Sequence, residues 1–270
     1  MMSWSGVVSA LSLPDSARVD QRVPKKLLLG NGAPTASDKR LISDAIEDIQ
    51  WLAALKPNTI GVSEYRDTQR EYLEVAVLAA TLRGAIKPAS FSRIGELVHR
   101  AVPYPVLLLL DEKRAEGTTL TLSLAHKRWA QNEAGKIVLD GDVVLASLFQ
   151  AADGTPGAIA KAASDIERDF MQSLAVSRQS QTSLHAIYQG WIECLQTLHA
   201  ARRTGIYRAA ATPEQAAARR QALADCQRLE GEISRLRAEG AKEKQLARQV
   251  ELNLMFKRLR AELAAAQQQL

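Results

Sequence analysis

Pro105-Val106-Leu107-Leu108-Leu109-Leu110-Asp111, followed shortly by Thr118-Thr119-Leu120-Thr121-Leu122-Ser123-Leu124, is the stretch that decides the fold. The first segment is an unbroken apolar run of strand length, which predicts a central strand buried on both faces. The second alternates, with Leu120, Leu122 and Leu124 on one side, and predicts a second strand. Glu116-Gly117 reads as the turn between them, so the two pair as a hairpin.

A sheet domain grows outward from that hairpin. Residues 136–139 add an edge strand that turns at Asp140-Gly141. Residues 72–82 form another strand, with Leu73, Val75 and Val77 alternating with Glu74 and Ala76. Residues 59–62 make a short one. The spacing of Ile94, Leu97 and Val98 predicts a helix over 91–101. Apolar residues at 42, 46, 49 and 52 or 55 predict one helix from about 36 to 55, capped by Ser37 and stopped by Lys56-Pro57. Residues 1–35, punctuated by Pro14, Pro24, Gly30, Gly32 and Pro34, read as extended and loop-rich.

Beyond Gly154 the strand pattern ends. Helices are expected over 157–176 and 182–203, the second with Leu184, Ile187, Trp191, Leu195 and Leu198 on one face and Gly205 as its stop. Thr212-Pro213-Glu214-Gln215 is a helix-start signature. From there Ala222, Cys226, Leu229, Ile233 and Leu236 form one stripe, and Leu252, Phe256, Leu259, Leu263, Ala266 and Leu270 a second. The phase is lost between Gly240 and Gln249. The tail therefore reads as an αα-hairpin turning around Gly240 in preference to one kinked helix. The class is α+β: an N-terminal α+β domain over 1–150 with a mainly antiparallel sheet, connecting helices over 151–208, and a coiled-coil-like hairpin tail over 209–270.

Charge is unevenly spread. Residues 201–270 hold 14 Lys+Arg against 8 Asp+Glu, a net of +6, while the remainder is at −1. A basic helical tail attracts nucleic acid, anionic membranes or acidic proteins, or is a solvated helix face. Acidic residues interleave with these basic ones, which favours protein contact. Lys25, Lys26, Lys242, Lys244 and Arg248 are the candidate phosphate or partner contacts. Leu229, Ile233, Leu236, Leu252, Phe256, Leu259 and Leu263 are the candidate partner or oligomer interface. Aromatic residues are 5% of the chain, too few for a strong base-stacking platform.

Chemistry is harder to find. Cys194 and Cys226 lack metal or disulfide spacing. No phosphate-binding glycine loop and no nucleophile elbow occurs. His99, His126, His185 and His199 are scattered. Asp111 at one strand end and Lys127 on the next suggest a metal-dependent nuclease core, but Ala125 stands where its second carboxylate belongs, with Glu74 the remaining substitute. The expectation is a chain without catalytic residues, metal or cofactor. The apolar stretch at 6–13 is too short and wrongly flanked for a secretory signal, and no run approaches a membrane span, which points to the cytoplasm.

Three stretches carry a resemblance: Val19-Asp20-Gln21-Arg22-Val23-Pro24-Lys25-Lys26; the run from Ile46-Glu47-Asp48-Ile49-Gln50-Trp51 through Lys56-Pro57-Asn58-Thr59-Ile60; and Ala241-Lys242-Glu243-Lys244-Gln245 onward to Asn253. The chain resembles an uncharacterised bacterial domain family, known mainly from loci that also encode helicases and DNA methyltransferases and are linked to phage defence. The resemblance spans about residues 10 to 265. It implies an accessory protein of a defence or restriction-like system, with the helicase or methyltransferase as partner, and it transfers no catalytic residue; the apolar tail stripes make a second copy of the chain the other candidate partner. A scaffold that docks through its tail is the first functional expectation. A nucleic-acid-binding or degenerate nuclease-like component is the second.

Overall fold

The computed structural model describes residues 4–114, 117–131, 133, 136–151 and 158–270. In chain order these form α1 (Trp4–Leu11), β1 (Arg18–Arg22), α2 (Lys25–Asn31), α3 (Ala36–Ala45), β2 (Ile46–Leu55) and α4 (Pro57–Ile60). Two-residue strands β3 (Tyr65–Arg66) and β4 (Glu71–Tyr72) follow, then β5 (Val75–Leu82), α5 (Pro88–Ala101), β6 (Val106–Arg114), β7 (Gly117–Trp129) and β8 (Ile137–Ala151). The helical half comprises α6 (Ala158–Ser173), α7 (Leu184–Thr204), α8 (Pro213–Gly240) and α9 (Leu246–Gln267). The chain divides into two compact units at Leu195, inside α7.

The first unit is built on a sheet in the order β1-β2-β5-β6-β7-β8, antiparallel throughout except for β5 and β6. That parallel pair is joined by α5, as a parallel connection requires a crossover. The expected hairpin is β6–β7, with Leu109 opposite Leu122; its predicted turn residue Glu116 lies outside the described residues. Val106 to Leu110 are wholly buried, as a central strand predicts. One core joins Leu28 of α2, Ile42 of α3 and Ile94, Leu97 and Val98 of α5 to β2, β5 and β6. Tyr188 of α7 ties a helix to the sheet, its hydroxyl 2.7 Å from the Val106 carbonyl and accepting from the Ala125 N–H.

Four local readings are corrected. Residues 36–55 are not one helix: α3 ends at Ala45 and β2 begins at Ile46. The deceptive spacing of Ile46, Ile49, Leu52 and Leu55 has a physical origin. Register shifts in β2 fall between Ile46 and Asp48 and between Trp51 and Ala53. A bulge inserts one residue, so a buried period of two becomes three and mimics a helix face. Residues 57–60 form a helical turn instead of a strand. Pro57 takes the first helical position, the Thr59 hydroxyl accepts from Lys56 N–H at 2.8 Å, and Gly61 closes the turn at φ +71°. Residues 1–35 hold α1, β1 and α2, with Val7, Leu11 and Leu28 buried. Finally, Asp140-Gly141 bends β8 without ending it. Gly141 sits at φ +81° where four steps along β8 face two along β7.

In the second unit α8 and α9 pack as a hairpin. Thr212 caps α8 by accepting from Gln215 N–H at 3.3 Å.

Candidate functional site

The tail stripes meet one another. Leu229, Ile233 and Leu236 of α8 and Leu252 of α9 are buried, and Phe256, Leu259 and Leu263 are half-buried. Two guanidinium groups lie over the Phe256 ring, Arg237 at 5.1 Å and Arg260 at 5.0 Å from its centroid. At the turn, Glu243 has a structural task. Its carboxylate accepts from the N–H groups of Lys244 (2.7 Å) and Gln245 (2.8 Å) at the start of α9, and these bonds lower its pKa. Arg248 lies between Glu251 at 2.8 Å and Glu239 at 3.4 Å, leaving Lys242 and Lys244 exposed.

α9 has a second apolar face. At 100° per residue, Ala247, Val250, Leu254, Ala261 and Ala265 fall about half a turn from the Leu252–Leu263 stripe. All five are exposed, Val250 at 52% and Leu254 at 65%. A surface helix normally carries one apolar stripe and a polar back. α9 is apolar front and back, the pattern of a helix between two neighbours.

In the sheet unit, tertiary structure assembles a cluster that sequence spacing hides. His126 of β7 and His185 of α7 stack at 5.4 Å, and Tyr65 stacks on His185 at 4.7 Å. Tyr72 is edge-on to His185 at 4.8 Å and its hydroxyl is 2.5 Å from His126 Nδ1. The tautomer follows from the chain of partners. Gln189 Nε2 donates to the Glu193 carboxylate at 2.8 Å, so Gln189 Oε1 faces His126 Nε2 at 2.7 Å. Nε2 therefore carries the proton and Nδ1 accepts from Tyr72. Burial pushes the His126 pKa down to about 4, despite the opposing Gln189 bond. Arg70 grips Asp140 at the rim at 2.6 and 3.0 Å. Nothing in the sequence signals this meeting, because its members come from β3, β4, β7 and α7.

The nuclease constellation is not assembled. Asp111 pairs with Thr81 on β5, seven residues beyond Glu74, which is about 23 Å at strand rise. Glu74 instead binds Lys56 at 2.9 Å. Lys127 Nζ donates to the carbonyls of Val102 and Tyr104. Among the described residues no group of three or more His, Cys, Asp or Glu is placed to hold a metal ion. Lys25 Nζ donates to the Ile46 carbonyl at 2.9 Å, while its neighbour Lys26 is exposed. Among the described residues no helix is long and apolar enough to cross a membrane.

No curated protein and no solved structure matches this chain. The family described as a domain of unknown function (DUF4391) matches residues 11–263, nearly the whole length, and the chain belongs to it.

Proposed function

We propose that this chain is a non-enzymatic accessory subunit that docks a partner helix on the outer face of α9, within a bacterial anti-phage defence or restriction-like system. The observation that carries this reading is the two-sided apolarity of α9: one face is covered by α8, and Val250 and Leu254 stand exposed on the other. Burying such a face is the main source of helix–helix affinity. The defence setting is what the sequence resemblance implies. A nucleic-acid reading finds less support, because many tail cations are already engaged: Arg228 with Asp225 and Glu232, Arg258 with Glu262, Arg203 with Glu230, and Arg248 with two glutamates.

The test is co-purification with the helicase and methyltransferase expected from such loci, using the full chain and Leu254→Glu, with light-scattering mass for each. Recovery of a complex of fixed stoichiometry that Leu254→Glu abolishes is the expected result. A dimer that Leu254→Glu converts to monomer makes a second copy the occupant. A monomer that captures neither protein, or a complex indifferent to Leu254→Glu, refutes docking on this face.

A further inference from the structure

A cleft of about 810 Å³ lies in the sheet unit between the loop after α2, the end of α5 and the start of β8. That is the size of a small-molecule site. Its ionisable lining is Lys127, His99, Arg100 and Lys136, with no carboxylate among the described residues that line it. Arg100 and Lys136 are already paired, with Glu96 and Glu133, each at 2.7 Å.

Lys127 differs from both. It is 3% exposed, and among the described residues no carboxylate is within ion-pair distance of it. Its two acceptors are the carbonyls of Val102 and Tyr104, just past the end of α5. An ammonium has three N–H donors, so one is left over. His99 lines the same cleft. Its Nε2 is 2.8 Å from Ser123 Oγ, and its Nδ1 is buried with no hydrogen-bond partner. Which ring nitrogen carries the proton is set by whether the Ser123 hydroxyl donates or accepts. Lys127 lines the cleft together with an apolar wall that includes Val102, Ile137 and Leu139. A buried cation and an unmade hydrogen bond each carry a free-energy cost that an acceptor with negative charge removes.

We propose that this cleft binds a small amphiphilic monocarboxylate, whose carboxylate accepts from Lys127 Nζ while its apolar body lies on Val102, Ile137 and Leu139. A single charge matches the single uncompensated cation. A phosphate dianion would bring surplus charge into a partly enclosed site, and a neutral amphiphile would leave the ammonium unanswered. This site is independent of the docking proposed for α9.

The experiment is titration of the full chain with octanoate, octanol and inorganic phosphate, read by calorimetry and by methyl NMR. Octanoate is expected to saturate one site, to shift the methyls of Val102, Ile137 and Leu139, and to bind at least about tenfold more tightly than octanol. Lys127→Met is expected to erase that preference. Failure of octanoate to bind at millimolar concentration, binding that leaves those methyls unmoved, or a preference that survives Lys127→Met overturns the assignment. If Lys127→Met does not fold, the octanoate-to-octanol ratio on the unaltered chain decides, and a ratio near one overturns it. Phosphate binding as tightly as octanoate at the same methyls also overturns the monocarboxylate assignment.

Discussion

Acidification from pH 7 to pH 5 should destabilise the sheet unit through two buried histidines. In the folded chain burial holds His126 at about 4 and His99 at about 3, against an ordinary value of 6.5. A group whose folded pKa is depressed in this way binds its proton first in the unfolded chain. Stability therefore falls as pH drops below 6.5 and goes on falling until the folded pKa is reached. At pH 5 the unfolded imidazole is almost fully protonated and the folded one almost bare. Each histidine then contributes a loss of about 2 kcal/mol, or about 4 kcal/mol together, a large share of a typical domain's stability. His185, also depressed by burial, adds in the same direction. Asp38, held by hydrogen bonds from Arg93, is pulled down to about 2 and stays ionised. Lys127 adds only a few tenths of a kcal/mol over this range, because its folded pKa of about 7 lies at the edge. The assay is urea denaturation at pH 7, 6 and 5, followed by tryptophan fluorescence. His126→Gln should remove roughly half of the slope with pH. Equal midpoints at pH 7 and pH 5, or a slope unchanged in His126→Gln, would refute the buried, neutral assignment and the tautomer chain behind it.

On the alkaline side the sign is set by Lys127: between its folded value of about 7 and its ordinary 10.5 the unfolded chain holds the extra proton, so stability should rise by about 2 kcal/mol from pH 7 to pH 9 in the same denaturation assay. Glu243→Ala should cost about 1 kcal/mol by stripping the N–H groups of Lys244 and Gln245 of their acceptor, seen as lost helical circular dichroism in α9. The two faces of the hairpin should respond oppositely. Leu229→Ala, at a buried position, should cost about 2–5 kcal/mol, while Leu254→Glu, 65% exposed, should stay within about 0.5 kcal/mol and lose only association. Comparable losses in thermal denaturation for both variants would contradict the assignment of inner and outer faces.

The sequence by itself determined the class and the main elements. An unbroken apolar run from Val106 to Leu110 has one stable place, between neighbours on both faces, and β6 occupies it. The stripes through Leu229 and Leu252 meant two helices, and lost phase at Gly240 meant a turn. These features are local: burial acts on residues whose spacing is written along the chain. The stripes through Leu229 and Leu252 are plain in the sequence, but that they cover one another, leaving Val250 and Leu254 exposed, emerges only once α8 and α9 pack.

Tertiary structure alone decided the rest. The period of three through Ile46, Ile49 and Leu52 belongs to bulged strand β2, and pairing with β5 settles what spacing leaves ambiguous. His126 and His185 are separated along the chain by a strand, a helix and more, yet stack at 5.4 Å. The state of Lys127 likewise depends on carbonyls more than twenty residues away. Protonation and hydrogen-bond partners are set by surroundings, and surroundings are made by packing between distant segments. That is why the elements could be read from the chain, while the histidine–tyrosine cluster and the cleft beside Lys127 could not.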